Sequence, residues 1–295
     1  MSRQTRCQPA HPGVPMTSTE VMHDHIPRSD GTVTPKPTRE RAKALWSMSW
    51  PPALIAILLV IAWQAYVWVS GIEPFLLPGP FSVLEKAFDF SSINWVEHIG
   101  ITTAEIVIGF VVAAVAGVGL GTAIAWSTWA QRALVPLLVL LNTLPKVALA
   151  PMFLFWLGYG VFPNAVIAAM IAFFPIVVNT SVGLVQVDED LLDLGRSLRS
   201  PKWREFTSLR FPTALPYIMS SLKVGVTMAV VGAIVGEFVA GQSGLGYVIT
   251  AVQSSLQTDV ALAAMFWISI IGLVLYGLVD LIGRWVVPWS DPKNR

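Results

Sequence analysis

Apolar residues in this chain gather into long, nearly unbroken runs separated by short polar stretches. Six runs stand out, at about 51–70, 98–126, 133–158, 162–184, 213–239 and 259–283. A helix needs about 20 apolar residues to cross roughly 30 Å of hydrocarbon, and these runs are of that order. The pattern therefore predicts an all-α, polytopic membrane protein with about six transmembrane helices. Within the runs, small residues and prolines are placed unevenly. Gly109, Ala113, Gly117 and Gly121 recur every fourth position of the second run, which puts them on one helical face and lets another helix approach closely. The third run is interrupted by Pro136, Pro145 and Pro151, and Tyr159-Gly160 marks a turn after it. Between the first two runs, 71–97 reads as amphipathic and loop-like, with Pro74, Pro78 and Pro80 as breakers.

Composition strengthens this picture. The chain has 295 residues, 54% hydrophobic and 13% charged, against about a quarter charged in soluble domains. Residues 1–45 differ, being rich in Pro, Thr, Ser, Arg and His without an apolar period. They are expected to form a disordered tail, leaving 46–295 as the membrane domain. No apolar core follows the first charges, so the tail is not read as a signal peptide. His23 and His25 in that tail are two ligands without a closed fold, which favours a solvated segment over a metal site. The single cysteine, Cys7, excludes an internal disulfide. A net charge of +1 with no basic stripe argues against nucleic acid.

The basic residues set the orientation. Sixteen lie in the N-terminal tail, at Arg132, in the 188–210 stretch and at the C-terminus, which six spans place on one side; Lys86 alone falls on the other. Positive charge stays cytoplasmic, so both termini and the 188–210 stretch are expected inside the cell membrane.

That stretch is the most informative polar segment. Leu191, Leu194 and Leu198 recur at helical spacing, with Trp203 and Phe206 beyond Pro201. A short amphipathic helix followed by a basic turn with an aromatic suits a groove on a soluble partner. The same composition suits a helix lying on lipid headgroups, and the pattern alone leaves both open.

The spacing here resembles the cytoplasmic signature loop of binding-protein-dependent importer permeases: Glu-Ala-Ala, three residues, Gly, nine residues, Ile-x-Leu-Pro. Asp193-Leu194-Gly195 stands for the first triplet, Arg199 for the Gly, and Leu209-Arg210-Phe211-Pro212 for the closing four. Arg199 departs from the pattern, and Pro212 is the one identical residue of the last four. The resemblance runs over about 50–290. Leu144-Pro145-Lys146-Val147-Ala148-Leu149-Ala150-Pro151, Trp156 to Gly160, Phe174 to Thr180 and Gly241 to Tyr247 are similar to the branch importing nitrate, taurine, alkanesulfonates and pyrimidine precursors. Glu105 to Phe110 and Val287-Pro288-Trp289 lean towards its thiamine-pyrimidine or riboflavin type.

The resemblance implies a permease subunit working with a cytoplasmic ATP-binding subunit, an external solute-binding protein and a second permease copy. Asp193, Leu194, Gly195, Leu198, Arg199, Trp203 and Phe206 would couple it to the ATPase. ATP and Mg would bind the partner, and no cofactor this chain. The chain itself has no phosphate-binding Gly-x-x-x-x-Gly-Lys motif and no catalytic constellation, so its energy source is expected on another chain.

Ionisable groups inside runs usually face a cavity or a partner. Glu105, Lys146, Lys223 and Glu237 are the candidates. Lys146 lies between prolines, where a broken helix exposes backbone to a pathway, or it snorkels to the interface. A 100° step puts Lys223 and Glu237 on one face of the fifth helix and Gly225, Gly232 and Gly236 on the other. The glycine face is expected to pack on a helix. The polar-ended face is expected to gate the pathway or line a dimer seam, with a structural ion pair as the alternative. An ion-coupled secondary transporter is the competing function class, and it calls for two matching halves with discontinuous helices.

Overall fold

The structure, a computed structural model, describes residues 38–187, Asp190, Asp193, Ser197 and 201–290. Its described residues are mainly helical, without a strand. In order they form α1 (Thr38–Ser70), α2 (Pro80–Ala87), α3 (Trp95–Trp126), α4 (Thr128–Thr143), α5 (Lys146–Leu157) and α6 (Val161–Val185). After the 188–200 stretch come α7 (Lys202–Glu205), a π-helical turn at Phe206–Arg210, α8 (Phe211–Ala240), α9 (Leu245–Gln253) and α10 (Thr258–Val286). The chain falls into two units. The first, ending at Ile55, is described over 38–55, where it is helical. The second begins at Ala56 and carries the features that follow.

All six apolar runs are helical. Among the described residues, four helices are long and apolar enough to cross a membrane, and α4 with α5 makes a fifth when the bent pair counts as one span. The apolar stretch of α1, Leu54–Ser70, is shorter. Two expectations shift: helix is described from Thr38, inside the segment read as tail, and the loop-like stretch 71–97 contains α2. The third run, expected to be interrupted, is two helices meeting at 85°. Proline chemistry accounts for the bend. Pro145 offers no N–H and keeps the residue before it out of the α region, and Leu144 is extended at φ −62°, ψ 137°.

Helix α6 lies between α3 and α8, and glycines set both approaches. A methyl group at Gly109 would sit 2.6 Å from Ala168 Cβ, at Gly117 2.8 Å from Ile176 Cγ2, and at Gly121 2.8 Å from Thr180 Cβ. From the other side, a methyl at Gly225 would lie 2.6 Å from Ile176 Cδ1 and at Gly232 2.5 Å from Ala168 Cα. Both glycine faces read from the sequence therefore pack on one helix. Lipid is as apolar as leucine, so burial alone does not hold such helices together; close backbone approach and dispersion do. The core accordingly uses small residues: Ala113, Ala168, Ala172, Ala229, Ala233, Ala263 and Ala264 are all buried.

The C-terminal end of α2 is closed by two indoles. Trp95 Nε1 donates to the Lys86 carbonyl and Trp267 Nε1 to that of Ala87, each at 3.0 Å. They satisfy carbonyls that a helix end leaves without intrahelical partners.

Candidate functional site

The expected coupling segment is described in part. Leu194, Gly195, Leu198 and Arg199 lie outside the described residues. Asp193 and Ser197 are helical, with the Ser197 hydroxyl donating to the Asp193 carbonyl at 2.9 Å. Trp203 is 67% exposed. Its ring does not stand alone. Trp203 lies 6.0 Å from Trp126 and 6.5 Å from Phe206, and Trp126 lies 5.0 Å from Phe206, centroid to centroid. Phe211 joins at 6.2 Å from Phe206. Phe206 also packs on the buried cluster of Leu184, Ala214 and Ile218. The last residue of α3 is thus clasped to the start of the α7–α8 rod.

The rod changes pitch here for a local reason. Pro212 has no N–H, and its ring crowds the carbonyl four residues earlier, so the chain widens into a π-turn. Phe211 N–H bonds the Phe206 carbonyl, five residues back. Arg210 donates to Glu205 Oε1 through Nε at 3.1 Å and Nη2 at 2.9 Å, bracing the turn. The closing tetrad 209–212 of the signature falls on this junction of π and α geometry.

The intramembrane cations find separate partners. Lys146 opens α5 at the bend. Its Nζ donates to Asn142 Oδ1 at 2.6 Å and the Asn142 carbonyl at 3.1 Å, and stands 4.7 Å from the Phe174 ring centre. Lys223 pairs with Asp280 of α10, which also accepts from Arg284 Nε at 2.9 Å. That geometry supports the ion-pair alternative for Lys223.

At the opposite ends of α3 and α8, polar groups converge on the start of α9. Glu237 and Glu105 are each 1% exposed. Thr102 Oγ1 donates to Glu237 Oε1 at 2.6 Å and accepts the Leu245 N–H at 2.8 Å. Glu237 Oε2 accepts the Gly246 N–H, and the Gly244 N–H reaches His98 Nδ1 at 3.1 Å. Asn164 Nδ2 donates to Glu105 Oε1 at 2.9 Å, and the two carboxyls are neighbours.

Physically, this is a helix cap built from distant parts of the chain. The first N–H groups of a helix lack intrahelical partners and carry the positive end of its dipole. Here α3 and α8 supply the acceptors for α9, with both carboxyl oxygens of Glu237 engaged. Glycines make room. Gly244 has φ +103°, in the left-handed region, and a methyl there would overlap the Glu237 carboxyl. A methyl on Gly246 would sit 2.7 Å from Glu237 Oε2.

Glu237, on the face expected to gate the pathway or line a dimer seam, is buried and has hydrogen-bond partners within its own chain. Thr102, His98, Asn164, Asp280 and Trp126 were not singled out, because each matters through a neighbour far away in sequence. Among the described residues, no three His, Cys, Asp or Glu side chains are grouped to hold a metal ion.

Comparison with known proteins adds an independent observation. Residues 113–293 match the family described as binding-protein-dependent transport system inner membrane component. The formylaminopyrimidine transport permease protein of Halalkalibacterium halodurans is 31% identical over 82% of this chain and 96% of that protein. The riboflavin transport system permease protein of Chloroflexus aurantiacus is 32% identical over 85% and 95%. The nitrate import permease protein of Synechocystis is 33% identical over 81% and 89%. Among solved structures, a chain of the MetNI methionine ABC transporter in an inward-facing conformation aligns with a TM-score of 0.57 at 16% identity. That alignment covers 68% of this chain and 98% of the other, and it is a likeness of fold.

Proposed function

Because this chain belongs to the family of binding-protein-dependent transport system inner membrane components, we propose how its geometry serves an importer permease. The chain is the multi-pass membrane subunit of such an importer. Hydrolysis of ATP with Mg takes place on a separate cytoplasmic subunit. An external binding protein delivers the solute, and a second copy of this chain completes the pathway within the lipid. Both termini lie in the cytoplasm, supported by sixteen basic residues against one. The solute is small: a pyrimidine- or flavin-type heterocycle, as the names of two relatives suggest, or an anion of the nitrate or sulfonate kind.

One observation carries the coupling assignment. Trp203 stands exposed on a rod that runs through the π-turn into α8, and its ring meets Trp126 and Phe206. Exposed tryptophans are frequent anchors at interfaces. Asp193, Leu194, Gly195, Leu198, Arg199, Trp203 and Phe206 form the receiving surface, and the rod delivers its displacement to α8. Lys146, at the 85° bend between α4 and α5, lines the pathway. Lys223 braces α8 against α10. Glu237 shapes the external end by holding the start of α9. The secondary-transporter reading lacks its matching half, since among the described residues α4–α5 is the one bent pair.

The test is reconstitution in proteoliposomes with a candidate ATPase subunit and a candidate solute-binding protein from the same organism. Loaded binding protein should raise ATP hydrolysis and drive solute into the vesicle. A purified permease that binds neither protein, and whose vesicles accumulate solute on an ion gradient without ATP, would overturn the reading.

A further inference from the structure

We propose, resting on the reading that the 193–206 stretch receives the ATPase, that Trp126 makes α3 a second recipient of that motion. In this arrangement α3 and α8 carry the displacement together to the Thr102–Glu237 cap of α9.

The two helices are tied at both ends. At one end the rings of Trp126, Trp203 and Phe206 lie 5.0 to 6.5 Å apart and join the last residue of α3 to the rod leading into α8. At the other end Thr102 of α3 and Glu237 of α8 share a hydrogen bond of 2.6 Å. Thr102 and Trp126 stand about 36 Å apart along the helix, at 1.5 Å per residue. Between the ties, both helices press on α6 through glycines, against Ala168 and Ile176 from either side. Contacts this close leave little room for one helix to slide alone, because packed interiors repack between discrete arrangements rather than deforming smoothly.

Without the Trp126 clasp, displacement of the 202–206 rod would reach α8 directly, and α3 through α6 and through the packing of Val118 and Ala125 on the Leu184, Ala214 and Ile218 cluster. With it, the same displacement acts on both walls of the frame. The far ends of those walls carry the acceptors for the amides of Gly244, Leu245 and Gly246. Those amides are therefore the place to detect the coupling. Trp126 is a positioning residue on this account, acting through α3 on a site it does not touch.

The experiment is hydrogen–deuterium exchange on the full chain in lipid nanodiscs, comparing peptides covering 241–253 with peptides covering α6. Trp126→Ala should speed exchange in 241–253 at least about fivefold, the lower end of usual coupling between sites, while α6 keeps its wild-type rate. Trp126→Phe, which keeps a ring, should stay close to wild type. Val115→Ala, on an exposed face of α3, should change neither region. Unchanged exchange in 241–253 for Trp126→Ala overturns the proposal. So does an equal rise in α6, or an equal effect from Val115→Ala, since both mark general loosening. No ATPase is present, so the outcome is separate from whether Trp203 docks one, which binding of the ATPase to a Trp203 variant decides.

Discussion

Thr102 and Glu237 stand 135 positions apart in sequence, and a single hydrogen bond of 2.6 Å joins the hydroxyl of one to the carboxylate of the other. The same hydroxyl accepts the Leu245 N–H, so one small side chain links α3, α8 and α9. Thr102→Val removes the oxygen and keeps the shape. Two buried groups then lose a partner each, and the chain should lose about 1–3 kcal/mol of stability. Thermal unfolding in detergent checks this: Thr102→Val should melt below wild type, with Thr102→Ser in between or unchanged.

Glu237→Gln tests the carboxylate. An amide has one acceptor oxygen where the carboxyl group has two, so the variant cannot accept from both the Thr102 hydroxyl and the Gly246 N–H. The variant should assemble normally, because its volume is unchanged. ATP hydrolysis should become less dependent on loaded binding protein. Wild-type stimulation and uptake in a fully assembled variant would remove Glu237 from the mechanism.

Glycine substitutions should divide by location. Gly232→Ala places its methyl 2.5 Å from the Ala168 backbone, which has nowhere to yield. A loss of about 1–3 kcal/mol is expected from such overpacking. Gly119 and Gly277 have nothing within 4 Å of the same position. Alanine there should leave stability unchanged or raise it by up to about 1 kcal/mol through helix propensity. Paired melting curves of Gly232→Ala and Gly119→Ala are the measurement.

Trp203→Ala should weaken association with the ATPase by about 1–3 kcal/mol, the range for an aromatic anchor. Titration of the ATPase onto nanodisc-embedded permease reads this directly. Normal affinity together with normal substrate-stimulated hydrolysis would reject Trp203 as an anchor.

Orientation is checked at Ser254, an exposed residue just after α9. With Cys7, the single native cysteine, replaced by serine, a Ser254→Cys variant should react with an impermeant maleimide added outside intact cells. Reaction only from the cytoplasmic side would reverse the topology.

The apolar runs and glycine spacings were legible in the sequence because both are local and periodic. The face of Gly109, Gly117 and Gly121 needed only a 100° step to identify, and the structure supplied the name of its neighbour, α6. The prolines of the third run announced an interruption. Its angle of 85° depends on how the two halves pack, which no local signal contains. The cap of α9 was hidden for a related reason. Glu237 was visible as a charge in an apolar helix, but its partners Thr102 and His98 look like ordinary residues near the start of another span. Asp280 was likewise passed over near the end of the last run, although it pairs with Lys223. The π-turn follows from Pro212, a residue noted for its motif rather than for its effect on helical pitch.

Ile176 touches the positions of Gly117 on α3 and Gly225 on α8, with would-be methyl contacts of 2.8 and 2.6 Å. One side chain thus serves two interfaces at once. A larger residue at either glycine would demand a smaller one at 176, and that smaller residue would open a void on the opposite flank. The three sites therefore form a single unit of heritable variation. Across diverging lineages they should change together or not at all, whatever solute the transporter has come to carry.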